Sequence, residues 1–480
     1  MQTIFNNQRR NTVLAGTVAL LLVGAGCSPT TIDPVTDPNN ASLESVTANA
    51  TPTQISALGV ALEASLRLGH ANNGANNMVI GSLGREVSVL AKSESRWVGE
   101  IYGTKGSYDD NAFYSVGAYN GFARVVRSAK VFLASVNGTN SITDAQKKAA
   151  AGFSHTYEAL GKLHELDLMG DIGIRVDLDN ILKPGPFVKP ADALTNIRQL
   201  LDQAATELAA GGSSFPFPLS SGYSGFDTPA TFLKVNRALA ARVALYQGDN
   251  AGALAALAQS FYSQTASLTL GPKITFNPSI ANDVSNPYYQ ALPTSSTGSN
   301  PATLVVATDN FVSEAEAGDL RLAKAPAHVG PGQTVGTIPA DFDAKLFTSP
   351  TSSLDIIRNE ELILISAEAK AKSNDLAGAV ADINVIRTRA GGLAARTAAS
   401  FTQASDYIDE ILKQRRYSLF YEGHRLVDLR RLGRYAPTVS SGQTLMYSSG
   451  AAPASVGGTY KLIPNLDKPS AEKQWDAANP

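Results

Sequence analysis

Gly248-Asp249-Asn250-Ala251-Gly252-Ala253-Leu254 and, 126 positions later, Asn374-Asp375-Leu376-Ala377-Gly378-Ala379-Val380 carry the same punctuation. Gly248 or Asn374 can take the left-handed conformation that ends one helix, and the aspartate after it can cap the next by accepting its unpaired backbone N–H groups. Ala241 and Ala367 fall at equivalent places, as do Ala253 and Ala379, and all four are small enough to let antiparallel helices approach closely. Beyond the second turn, Leu376, Ala379, Val380, Ile383, Ile386 and Ala390 recur at helical spacing, which predicts one buried face. The same spacing predicts helices over 53–69, 113–136, 143–168, 190–210, 228–246, 250–263, 357–372, 376–391 and 404–433, while strand-type alternation is rare. The expected fold class is all-α dominated.

The two turns resemble those of tetratricopeptide (TPR) helix hairpins, which would lie around 228–263 and 357–391; the alternative is two unrelated alanine-rich hairpins. About a hundred residues rich in Pro, Gly, Ser and Asn separate them. Irregular stretches also cover 70–112, 211–227, 271–301, 326–354 and 435–480, and loops of such length usually carry recognition. The expectation is a scaffold of TPR-like hairpins with long irregular loop insertions.

Composition narrows the chemistry. The 480 residues are 44% apolar and 17% charged with a net charge of −2, which excludes general disorder and gives no basic field for nucleic acid. One cysteine and five scattered histidines argue against an internal disulfide or a zinc cluster, and no metal or cofactor is expected. Residues 1–26 read as a targeting segment, since Arg9 and Arg10 precede an apolar run, Val13 to Gly26, that is too short to span a bilayer. Leu22-Val23-Gly24-Ala25-Gly26-Cys27 resembles a lipobox, with Gly24 where leucine is usual; the alternative is a secretory peptide with an incidental cysteine. Acylated at Cys27, the chain would be anchored to a membrane and not spanning it, with 27–50 as a flexible tether and 51–480 as one domain. Loss of residues 1–26 removes two arginines and no acid, taking the charge from −2 to −4.

The C-terminal third carries the most specific pattern. Arg358-Asn359-Glu360-Glu361-Leu362 through Ala369 is followed by Asn384-Val385-Ile386-Arg387-Thr388-Arg389-Ala390-Gly391-Gly392, then by Arg415-Arg416-Tyr417 and Tyr421-Glu422-Gly423-His424-Arg425-Leu426-Val427-Asp428-Leu429-Arg430-Arg431. In order and spacing these resemble the SusD/RagB family of outer-membrane nutrient-binding lipoproteins. Tyr119-Asn120-Gly121-Phe122, Met169-Gly170-Asp171-Ile172 and Asp319-Leu320-Arg321-Leu322 agree with it. Departures are Leu426, where the family commonly has Trp, and Gly173 and Leu320, where it often has Pro. The resemblance implies a surface-exposed outer-membrane protein that captures an oligomeric glycan or peptide. It also implies delivery of that cargo, as a lid, to a SusC-like TonB-dependent transporter. The rivals are a TPR-type scaffold without a nutrient ligand and a surface hydrolase.

Nothing in the sequence favours catalysis. Arg415, Glu422, Gly423, Arg425, Asp428 and Arg431 form the motif, and on one helix Glu422 with Arg425 and Asp428 with Arg431 would be i, i+3 pairs, a structural network. Ser224 lacks the nucleophile-elbow spacing, and His155 and His164 point to opposite faces of a helix. Asp177-Leu178-Asp179-Asn180 starts like a calcium loop but lacks its later ligands. For ligand binding the candidates are Asn76, Asn77, Arg96, Trp97, Tyr102, Tyr108, Asp109, Asp110 and Tyr114, in a segment that also offers Asn72, Asn73 and Phe113; Asn286, Tyr288 and Tyr289 form a second group. Flat aromatic faces pack on sugar C–H groups while amides and carboxylates take the hydroxyls. The alternative is that Trp97 and Phe113 only pin their own loops.

Overall fold

The computed structural model describes residues 46–71, 76–101, 109–180, 183–281, 283–336, 338–434 and 465–479. Thr47–Pro480 forms one compact unit. Cys27, most of the tether, Asn72, Asn73, Tyr102 and Tyr108 lie outside the described residues.

Thirteen α-helices, α1 to α13, are described: Pro52–Ala71, Asn76–Leu83, Phe113–Gly138, Asp144–Met169, Pro190–Ala209, Pro229–Gln247, Asn250–Ala258, Asp309–Ser313, Asn359–Lys372, Leu376–Arg389, Ala404–Ser418, Arg425–Arg431 and Ser470–Ala478. Start signals are local. Thr143 opens α4 with a capping box shared with Gln146, and Thr228 followed by Pro229 does the same for α6. The long helices pack in succession, α1 on α3, α3 on α4, α4 on α5, α5 on α6 and α6 on α7, and α9 packs on α10 and α11.

The two matched turns have one geometry. Gly248 and Asn374 sit at φ of 75° and 64°. Asp249 caps α7 by accepting from the Gly252 N–H at 2.8 Å, and Asp375 caps α10 by accepting from the Gly378 N–H at 2.9 Å. Ala241, Ala253, Ala367 and Ala379 have no exposed surface, as close helix approach requires. The hairpins are also neighbours: α7 packs on α9 although 100 residues lie between Ala258 and Asn359. The fold is helical, a stack of TPR-like hairpins carrying irregular insertions.

Those insertions meet each other. Strand β1 (Val87–Ala91) of the first pairs antiparallel with a strand of the second, Thr303–Ala307, with Val89 opposite Val305. Both faces of β1 are covered, so it shows no polar alternation: Val87, Val89 and Ala91 join the main core, while Leu90 packs with Val98, Leu304, Val306 and Ile338. The two insertions are thereby joined through one strand pair.

The helix expected over 404–433 is two helices. It breaks between Ser418 and Arg425, where Tyr421 and Gly423 adopt φ of 64° and 86°. The left-handed Tyr421 is held by its carbonyl, which accepts from Asn77 Nδ2 at 2.9 Å. The helix expected over 250–263 ends at Ala258, and α2 and α13 fall in stretches expected to be irregular. No described helix is long and apolar enough to cross a membrane.

Candidate functional site

After β1 the chain turns at Glu94, whose N–H donates to the Ala91 carbonyl at 3.1 Å, and enters a single wide helical turn, Trp97–Ile101. This places both Arg96 and Trp97 against Phe113. The Arg96 guanidinium lies over the Phe113 ring at 5.0 Å, while the buried Trp97 meets the ring edge-on at 5.3 Å. Glu94 grips the guanidinium in a fork, accepting from Nε at 2.8 Å and Nη2 at 2.6 Å, and these bonds hold its carboxyl below the usual range. Tyr114 is fully buried; its hydroxyl donates to Glu100 and accepts from the Asp109 N–H at 2.8 Å. Asp109 in turn accepts from the Asn111 N–H at 2.8 Å and stays exposed. The result is a polar platform in which Glu94, Arg96 and Asp109 reach solvent and Trp97 and Tyr114 support them from below. Such a surface can hydrogen-bond hydroxyls and stack the outer face of a guanidinium on a flat ligand.

The remaining candidates lie elsewhere. Asn76, Asn77 and Tyr288 are buried together: the Tyr288 hydroxyl accepts from the Asn77 N–H at 3.2 Å and its ring meets Tyr421 edge-on at 5.7 Å. Asn286 ties this loop down by donating to the Ser352 carbonyl at 2.7 Å. Tyr289 is half-buried against the core. Asp110 pairs with Lys473 of α13 at 2.5 Å. The structure therefore gathers Arg96, Trp97, Asp109 and Tyr114 at one place, Asn76, Asn77 and Tyr288 at another, and Asp110 at a third.

The C-terminal motif is a set of buried ion pairs around α9, a helix covered on all sides although it carries three glutamates. Arg431 forks onto Glu368 at 2.5 and 2.6 Å and reaches Asp428 at 2.8 Å, while Arg415 donates to Asp428 at 2.6 Å. Arg242 forks onto Glu361 at 2.6 Å through each nitrogen. Glu422 pairs with Arg358, which also holds Glu360 at 3.0 Å; the expected Glu422 to Arg425 helical pair does not form because the break at 419–424 takes Glu422 off the helix. Gly423 supplies the left-handed turn, and Arg425 is buried at the start of α12. Burial alone would raise Glu361 and Asp428, but the surrounding cations bring both carboxyls down to about 2.

His424 stands 3.7 Å from Glu361, and burial lowers it to about 4 and His70 to about 3, so neither imidazole is charged near neutral pH. With His164, which stacks on Phe122 at 4.4 Å, they line a cavity of about 30 Å³, room for roughly one water. Among the described residues no three His, Cys, Asp or Glu side chains are placed to hold a metal. Sequence reasoning passed over two exposed arginines on α3, Arg124 and Arg127, whose i, i+3 spacing without an acid in reach was the available signal.

The SusD family model matches residues 347–478, which contain the ion-pair network apart from Arg242. No curated protein matches the chain. A SusD superfamily protein from Bacteroides vulgatus is similar at 18% identity, with 89% of this chain and 97% of that one covered and a TM-score of 0.62. One from Parabacteroides distasonis is similar at 14% identity, with coverage of 87% and 97% and a TM-score of 0.65. Surface glycan-binding protein A from Bacteroides thetaiotaomicron, in complex with laminarihexaose, is similar at 14% identity, with coverage of 90% and 98% and a TM-score of 0.66. At these identities the structural likeness is one of fold.

Proposed function

We infer that the chain belongs to the SusD family, from the pattern in residues 347–478 and the fold it shares with SusD superfamily structures. From that premise we propose that it is a surface glycan-binding protein, lipid-anchored through Cys27 to the outer membrane, that hands its cargo to a SusC-like TonB-dependent transporter. The observation that carries the binding reading is the solvent-facing Glu94–Arg96 pair laid on Phe113 beside Asp109. A neutral glycan suits this platform because its hydroxyls can donate to the carboxylates and accept from the guanidinium, while a ring face lies on the guanidinium plane. The surface glycan-binding protein of the same fold supports a glycan over a peptide, its complex being with laminarihexaose.

Binding is tested by titrating the protein with laminarihexaose and a panel of neutral oligosaccharides in a calorimeter. Saturable binding to at least one is expected, weakened roughly tenfold or more by Arg96→Ala, the scale of a lost charge-assisted hydrogen bond. Oligosaccharides that bind nothing, or a ligand indifferent to Arg96→Ala, would defeat the site assignment; a protein partner without any small-ligand response would favour the TPR-type scaffold.

The transport role carries its own expected result. Mild-detergent extraction of the native membrane should bring down a β-barrel transporter in a one-to-one complex, identifiable by mass spectrometry. In the lid mechanism, contacts that the cargo makes with both proteins favour the closed state. Recovery of the chain alone would count against it.

A further inference from the structure

A pocket of about 350 Å³ opens along the outer face of α3, between that helix, α4, β2 (Ile174–Arg175) and α13, well away in the chain from Arg96. Its size falls at the small end of ligand pockets, which run about 300–1,000 Å³. Arg124 and Arg127 stand at its rim, three residues apart on one helix face, and both are exposed. Neither makes an ion pair or hydrogen bond to a described residue, whereas the other cations there are matched. Lys130 holds Asp179 at 2.9 Å and Glu158 at 3.4 Å; Arg175 holds Glu472 at 2.8 Å and Asp476 at 2.5 Å. The rim therefore holds two arginines without an acidic partner among the described residues.

The interior is different in kind. Glu165 of α4 lines the pocket with only 2% of its surface exposed, and no described side chain hydrogen-bonds its carboxyl. Burial raises it to about 8, so at neutral pH it is mostly a carboxylic acid, with one O–H to donate and an oxygen to accept. Asn120 adds an amide beside the arginines, and Leu178 and Pro184 give an apolar wall. An anionic rim partner, neutral hydrogen-bonding groups within and an apolar wall suit one polyhydroxylated ring bearing a carboxylate.

We propose that this pocket binds a carboxylate-bearing sugar residue, its carboxylate on Arg124 and Arg127 and its hydroxyls on Asn120 and Glu165. The proposal rests on the reading of the chain as a glycan binder and adds a second, acid-sugar site to the neutral platform. Calorimetric titration with digalacturonate tests it, using the wild type and the variants Arg124→Ala/Arg127→Ala, Glu165→Gln and Arg96→Ala. Digalacturonate should bind at neutral pH and lose at least about tenfold in affinity on the double substitution, a larger loss than Arg96→Ala brings; an equal or larger loss on Arg96→Ala would place it on the neutral platform and overturn the proposal. Both arginines are exposed, so their removal leaves the fold intact, which the unfolding midpoint checks. Laminarihexaose binding without digalacturonate binding overturns this proposal and leaves the neutral site standing. Equal competition by inorganic sulfate overturns the sugar assignment, and a tenfold gain on Glu165→Gln overturns the role given to Glu165.

Discussion

Gly173→Pro, a change toward the residue the family often carries there, is expected to destabilise this protein severely. Gly173 sits at φ 79° and ψ −169°, a conformation that side-chain-bearing residues rarely enter and that the proline ring, fixed near φ −65°, cannot. A β-carbon at this position would stand 1.7 Å from the carbonyl oxygen of Val188, on the strand β3 (Phe187–Val188) that pairs with β2. Proline would also delete the Gly173 N–H that donates to the Gly170 carbonyl at 3.0 Å. Strain, overlap and the lost bond together put the loss above about 3 kcal/mol. Gly173→Ala should fall in the same direction by a smaller amount, because it keeps the N–H. Chemical unfolding of the three proteins measures the order, and a proline variant within about 1 kcal/mol of the wild type would show that this turn is built as in the family's proline-bearing members.

The second large effect concerns Arg242 and Glu361, both buried and joined by the 2.6 Å fork that locks α6 to α9. Arg242→Met strands a carboxylate in the core, leaving His424 at 3.7 Å as its nearest cationic candidate, and that imidazole is neutral. A loss of about 3–5 kcal/mol is expected at pH 7, as for other buried pairs broken on one side. Removing both charges, in Arg242→Met/Glu361→Leu, should recover most of it, because two apolar side chains need no compensation. The pH dependence has a definite sign. In the wild type Glu361 is held at about 2 against an ordinary 4.5, so the pair's contribution is complete above 4.5 and is lost as the pH falls toward 2. In Arg242→Met that window should vanish, and the stranded carboxyl should take up a proton, making the variant's deficit smaller in acid. A double variant no more stable than the single one would mean that packing, and not charge, dominates this contact.

Much of the helical scaffold was legible because its signals are local. The Asp249 and Asp375 turns need only adjacent residues, and α4 and α6 announce themselves through Thr143 and Thr228. The break before α12 was missed because Leu426 and Leu429 continue the apolar rhythm past it, with Gly423 the single sign of a turn. The site was less legible. Tyr288 meets Asn77 across 211 residues and β1 meets its partner strand across a similar span, so no window of sequence reveals that Tyr288 is internal while Arg96 is not. Two aromatic candidates of the first insertion are buried, Trp97 against Phe113 and Tyr114 beneath Asp109, which their sequence positions do not reveal.

Direct packing of α7 on α9 makes the hundred residues between them a cassette. Once both ends are anchored, the closure entropy of a flexible loop grows only with the logarithm of its length, so doubling it costs about 0.6 kcal/mol. Ancestry could therefore lengthen or shorten the exposed turns of this stretch at little expense to the hairpins beneath, restrained by its strand paired to β1 and by the residues it buries in the main core, among them Phe276, Tyr288 and Phe311. Variation of the insertion and constancy of the hairpins would then be two outcomes of one helix contact.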